Sequence, residues 1–180
     1  MAGPVVAAAV RLPNTALPEL ESVRDSKALS PKKREELFDV IRRNAVSVAV
    51  GWAPSEDVDR LNILRATMSA MRAALDRIDY VSGALVLVDG NQKIPGVIYE
   101  QEAVVSGDKK SLSIASASVI AKVVRDRWMC VLDRRYPGYG LARHKGYGTA
   151  VHYKALEEKG LIPGLHRKSF LKKLTEPTLS

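Results

Sequence analysis

The sequence predicts an α/β domain, a mixed sheet flanked by helices, with a helical and basic C-terminal segment. Three observations carry this. Apolar runs at residues 5–12, 45–52 and 84–88 have the length and composition of strands. Helical periodicity fills the stretches between them, so strands and helices alternate along the chain. Finally, Ala84-Leu85-Val86-Leu87-Val88 ends in Asp89-Gly90-Asn91, and Ala103-Val104-Val105 ends in Ser106-Gly107-Asp108. An unpaired carboxylate is costly to bury, and α/β proteins bind ligands at the carboxyl edge of their strands.

The elements follow in order. Residues 5–12 read as a strand. Ser30-Pro31 supplies an N-cap and a proline at the first helical position, opening a helix to about Arg43 with Leu37, Val40 and Ile41 inward. In the next strand Val46, Val48, Val50 and Trp52 alternate with smaller residues. From Asp57 to about Ile78, Leu61, Leu64, Met68, Met71, Leu75 and Ile78 recur at three- and four-residue steps, predicting one amphipathic helix with its methionines in the core. Residues 84–88 are continuously apolar, as in a parallel strand covered on both faces. A turn-rich link leads to a strand ending near Val105. The small apolar residues of 114–121 predict a buried helix, beginning at Leu112 and ending near Arg134. A last helix runs from a Thr149 N-cap to a Gly160 C-cap, and a partly ordered tail is expected after Pro163. Residues 1–136 form the α/β domain in this reading, and 137–180 the basic segment.

Composition narrows the function classes. The chain has 180 residues, 46% of them apolar, enough to bury a core. Its single cysteine, Cys130, excludes an internal disulfide and fits a reducing cytosol. No apolar run is long enough for a membrane span, no leader is expected before Val5-Val6-Ala7, and a cytoplasmic location is expected; a monomer is expected as well. Net charge is +8, of which residues 143–173 contribute +6. That segment suits a phosphate backbone and offers Arg143, Lys145, Arg167 and Lys168 as contacts, although a merely solvated basic face has the same composition. Within it, Tyr147 in Lys145-Gly146-Tyr147-Gly148 could stack on a sugar or base, or simply hold a loop. Lys27, in Asp25-Ser26-Lys27, could reach phosphate. The three histidines lack zinc-ligand spacing.

If the strands ending in Asp89 and Asp108 are parallel, both acids sit on one edge of strands about 4.8 Å apart; if antiparallel, they lie at opposite ends. Oxygen ligands suit Mg²⁺ or Mn²⁺, so the metal reading requires parallel strands. Asp126 lies about 22 Å along the helix from its start and is a poor partner for Asp108; an ion pair with a neighbouring arginine is expected.

A series of ordered motifs runs from Ala2 to about Lys173: Gly3-Pro4-Val5-Val6-Ala7-Ala8-Ala9, Asp25-Ser26-Lys27-Ala28-Leu29, Asn62-Ile63-Leu64 and Val88-Asp89-Gly90-Asn91. It continues through Gly107-Asp108-Lys109-Lys110-Ser111-Leu112-Ser113-Ile114-Ala115, Ile120-Ala121-Lys122-Val123-Val124-Arg125-Asp126, His144-Lys145-Gly146-Tyr147-Gly148-Thr149 and His166-Arg167-Lys168-Ser169-Phe170. With these motifs the chain resembles ribonuclease HII. The resemblance implies a ribonuclease H-like fold, cutting of the RNA strand in RNA–DNA hybrids and at single ribonucleotides in duplex DNA, and two-metal hydrolysis. Asp89 and Asp108 would be two of four metal-binding carboxylates. Tyr147 would contact the deoxyribose beside the ribonucleotide, and Lys109 and Ser111 join the nucleic-acid contacts.

The family pattern also carries a strand with Asp-Glu-Ala-Gly-Arg-Gly just before the position of Gly3, supplying the other two carboxylates. Here the first acid is Glu19. That first central strand is expected to be missing from between the strand at Val5 and the one ending at Asp89, and a start assigned too late in the reading frame is the preferred explanation. An inactive nucleic-acid-binding remnant of the family is the alternative, and a small-molecule α/β enzyme a distant third.

Overall fold

The computed structural model describes residues 1–25 and 29–171. Its strands are β1 (Val5–Arg11), β2 (Ser47–Ala53), β3 (Leu85–Asp89) and β4 (Glu100–Val104). The helices are α1 (Pro31–Asn44), α2 (Ser55–Leu61), α3 (Ile63–Leu75), α4 (Gly107–Lys110), α5 (Leu112–Arg135), α6 (Leu141–His144) and α7 (Ala150–Lys159). Short 3-10 turns occupy Pro18–Asp25 and Lys168–Phe170. Two compact units result: one of Met1–Val5, Ala53–Thr67 and the chain from Val124 onward, the other of Val6–Trp52 and Met68–Val123. Residue 136 lies inside the first.

The second unit holds the sheets. β1 pairs with β2, and β3 with β4. The β3–β4 pairing is parallel, with Leu85 opposite Glu100 and Asp89 opposite Val104. Their crossover is a loop, pinned by the Gln101 side chain. Its Oε1 accepts from the Ile94 N–H (2.8 Å) and its Nε2 donates to the Ile94 carbonyl (3.0 Å). Ile94 is thereby buried with Val88 and Leu75, while Met68 and Met71 pack against them. Between β1 and β3 lies an apolar cavity of about 440 Å³, into which Leu85 to Val88 also face. β3 is therefore not covered on both sides, as its apolar run suggested.

The long helix expected over residues 57–78 is two helices. Asn62 takes φ 73° between them, and its Oδ1 accepts from the Arg65 N–H (3.1 Å), capping α3. With ψ at 167° this backbone lies outside the left-handed helical region and is one that residues other than glycine seldom adopt. The most buried stripe of α3 is also different: Ala66, Ala70 and Ala74 are fully buried, while Leu64 is 46% exposed. The cause is close approach to β2, where a Cβ on Gly51 would sit 2.2 Å from the Ala70 carbonyl oxygen and 2.5 Å from the Ala74 nitrogen. The same approach reverses β2: Ala49, Gly51 and Ala53 are buried, and Trp52 stands half exposed beneath the Arg77 guanidinium. α1 starts at a Ser30 cap and buries Leu37, Phe38 and Ile41, with Phe38 taking the place expected for Val40.

In the first unit Ala2, Met129, Leu141, Ala155, Leu156, Leu165 and Leu171 share one apolar cluster. The Ser55 hydroxyl donates to the Leu165 carbonyl (2.7 Å). α7 runs between the expected caps, with Thr149 Oγ1 accepting from the His152 N–H. In the segment after Pro163, expected to be partly ordered, Leu165, His166, Arg167 and Leu171 are buried, while Lys168, Ser169 and Phe170 are exposed.

Candidate active site

Asp89 ends β3 and Asp108 lies in the first turn of α4, which opens two residues after β4 and its neighbour Val105. The parallel register meets the geometric requirement for bringing the two acids to one rim. The link is direct: the N–H of Gly107, the residue before Asp108, donates to Asp89 Oδ1 at 2.9 Å. Glycine keeps this approach close: a Cβ would lie 2.5 Å from Ile114 Cδ1, the end of a side chain that would have to turn aside, and 3.3 Å from Asp89 Oδ1. Ser106 makes the corner in a left-handed conformation, φ 55°, the kind of local strain that tight functional turns retain. Asp108 is 3% exposed, whereas Asp89 is exposed. Lys109 beside it is exposed, and Ser111 Oγ accepts from the Ile114 N–H (3.4 Å) to start α5.

The first unit carries the other candidates. Tyr147 is 56% exposed. The Arg125 guanidinium stacks 5.3 Å from its ring centroid and donates to the carbonyls of Lys145 (2.9 Å) and Ala2 (3.3 Å). Arg125 was missed in the sequence reading, which weighed only its neighbour Asp126; the cation-and-tyrosine pair depends on a fold contact 22 residues apart. Asp126 belongs to this unit, and its carbonyl lies 3.5 Å from Lys145 Nζ. Lys145 Nζ also reaches Cys130 Sγ at 2.9 Å. Arg143 and Lys168 are exposed. Arg167 is not a surface cation: at 7% exposure its Nε and Nη2 donate to the Gly3 carbonyl (3.1 and 2.8 Å), and burial lowers its pKa. Lys27 lies outside the described residues.

A family model described as Ribonuclease HII matches residues 1–173. The chain belongs to the ribonuclease HII family. The Ribonuclease HII of Fusobacterium nucleatum is 51% identical over 179 residues, covering 98% of this chain and 82% of the relative. That of Synechococcus elongatus is 47% identical over 178 residues, with the same two coverages, 98% and 82%. Among solved structures, ribonuclease H2 from Pyrococcus horikoshii aligns with a TM-score of 0.77 at 24% identity, over 93% of this chain and 87% of its own. Bst-RNase HIII in complex with Mn²⁺ aligns with a TM-score of 0.65 at 16% identity, over 88% of this chain and 58% of its own. These structures share the α/β fold. Membership of the ribonuclease HII family makes the chain a nuclease by descent, and no helix among the described residues is long and apolar enough to cross a membrane.

Proposed function

We propose that this chain is a divalent-metal-dependent endoribonuclease that cuts the RNA strand of RNA–DNA hybrids and duplex DNA at single embedded ribonucleotides, acting as a monomer in the cytoplasm. The observation that carries the reading is the Asp89–Gly107 hydrogen bond on the parallel β3–β4 pair, which ties the Asp89 carboxylate to the residue preceding Asp108. Two carboxylates are hard oxygen donors and suit Mg²⁺ or Mn²⁺. Among the described residues no group of three or more His, Cys, Asp or Glu side chains could hold a metal. The pair therefore suits one ion rather than the two that the family resemblance implies. When bound, the ion would acidify an attacking water and offset charge on the scissile phosphate. The chain's own groups bind and orient: the Gly107 N–H aims Asp89, Lys109 offers a cation beside Asp108, Arg143 and Lys168 meet phosphates, and the Tyr147 ring stacks on a sugar.

The test is a duplex carrying one ribonucleotide, incubated with Mg²⁺ or Mn²⁺ and again with a chelator. A single metal-dependent nick at the ribonucleotide supports the proposal. A second reading, a binding-only remnant, is favoured by the two-carboxylate set; it predicts no cutting at any metal concentration, with salt-dependent duplex binding retained.

A further inference from the structure

Three histidines that lie apart in sequence meet inside the first unit. His144, His152 and His166 are 7%, 0% and 4% exposed. The His144 and His152 rings stack at 4.2 Å with 16° between their planes. Their hydrogen-bond partners assign the ring protons. His166 Nδ1 accepts from the Ile162 N–H (2.8 Å), so its proton is on Nε2, facing His152 Nε2 at 3.1 Å. His152 therefore accepts there and donates from Nδ1 to the Tyr147 carbonyl (2.9 Å). His144 Nδ1 accepts from the Gly146 N–H (3.2 Å), and its Nε2 donates to the Tyr139 carbonyl (2.8 Å).

The result is a one-way chain of neutral imidazoles from the Ile162 main chain to the Tyr147 carbonyl. It is not a metal site: every Nδ1 is engaged by main chain, and the facing Nε2 atoms are already at hydrogen-bond distance. Burial acts in the same direction, lowering the His152 pKa and pushing that of His166 down to about 4, so both are neutral near pH 7.

A hydrocarbon core would fill this space without three rings to satisfy. What the chain adds is control of one exposed loop. Lys145 and Gly146 take consecutive left-handed conformations, φ 51° and 77°, a bend that persists only where the surroundings over-determine it. The Tyr147 N–H donates to the His144 carbonyl (2.9 Å), and the Tyr147 carbonyl also accepts from the Thr149 N–H (3.0 Å). The tyrosine thus has a peptide fixed from within and a ring standing outside.

We propose that the His166–His152 pair is a positioning device for Tyr147, setting the peptide from which the ring contacts the sugar beside a ribonucleotide. This rests on the ribonucleotide-reading role proposed for Tyr147. Neither histidine touches the substrate; both act through the loop.

The test compares His152→Leu, His152→Asn, His166→Leu, Tyr147→Ala and the double variant His152→Leu/Tyr147→Ala. The readouts are the ratio of affinities for a one-ribonucleotide duplex and an all-DNA duplex, the melting temperature, and the amide resonances of Gly146, Gly148 and Thr149. His152→Leu is expected to lower the ratio roughly five- to ten-fold, the scale of one hydrogen bond, with all-DNA binding unchanged. His152→Asn, whose amide can donate to the same carbonyl, restores the ratio. The double variant falls no further than Tyr147→Ala. A folded His152→Leu with an unchanged ratio, or an additive double variant, overturns the proposal. If His152→Leu does not fold, His166→Leu decides by the same ratio. If Tyr147→Ala itself leaves the ratio unchanged, the reading of Tyr147 fails instead. The amide resonances then decide the positioning: shifts in the histidine variants uphold it, and unmoved resonances overturn it.

Discussion

The main-chain N–H of Gly107 donates to the Asp89 carboxylate at 2.9 Å, so the end of β3 is tied to the first turn of α4, which follows the parallel strand β4. The bond orients Asp89 without consuming its charge. Asp89→Asn keeps an oxygen for Gly107 and removes only the negative charge. Cutting of the ribonucleotide duplex is expected to fall roughly 100-fold or more, on the scale of losing one preorganised electrostatic group, while affinity for the duplex persists. Turnover equal to the parent's would remove Asp89 from the metal site.

Tyr147 stands over the Arg125 guanidinium at 5.3 Å, an exposed ring on an anchored loop. Tyr147→Ala is expected to weaken ribonucleotide-dependent cutting by about 1–3 kcal/mol, the range for one lost stacking contact. Binding to all-DNA duplex should change much less. Equal losses in both assays would identify a loop-holding tyrosine.

Two adjacent cations should separate cleanly. Arg167 is turned inward onto the Gly3 carbonyl, and Lys168 is exposed, its N–H donating to Asp59 Oδ2 (2.9 Å). Arg167→Ala removes two charge-assisted hydrogen bonds from the buried Gly3 carbonyl, leaving it the Ser55 hydroxyl at 3.2 Å, and is expected to cost about 1.5–3 kcal/mol in denaturant unfolding, with little change in the salt dependence of duplex binding. Lys168→Ala should do the reverse, reducing the salt slope by about 1 at constant stability.

The buried histidines make stability pH-dependent with a definite sign. His166 falls from 6.5 to about 4 in the folded chain, and His152 also falls below 6.5, burial being the main cause of each. The unfolded chain therefore binds more protons than the folded one below pH 6.5. Stability is complete above that value and is lost as pH falls toward 4, by on the order of 3 kcal/mol from His166. Denaturant midpoints at pH 7.5 and 5 measure this, and a profile that is level across that interval would contradict neutral, buried rings.

Gly51 meets main-chain atoms of α3 that cannot rotate aside. Gly51→Ala is expected to destabilise by about 1–3 kcal/mol through overpacking, seen as a melting temperature several degrees lower. An unchanged melting temperature would mean that α3 can slide away from β2 at little cost.

Much was legible from local patterns. The caps at Ser30, Thr149 and Gly160, the strands ending at Asp89 and near Val105, and the long helix from Leu112 all follow from side chains acting on their own backbone within a few residues. The motifs that resemble ribonuclease HII were legible in the same way, because they are contiguous. The break at Asn62 was not, since an asparagine with positive φ leaves the apolar periodicity on either side intact.

What the sequence determined by itself is therefore most of the elements, the family, one acid at the end of β3 and another shortly after β4. The tertiary structure alone decided that β3 and β4 run parallel, that alanine rather than leucine and methionine forms the tightest face of α3, that Arg167 is turned inward, and that three scattered histidines converge behind Tyr147. These are pairings between distant residues. Their free energies depend on which surfaces are excluded from water together, and no window of neighbouring residues contains that information.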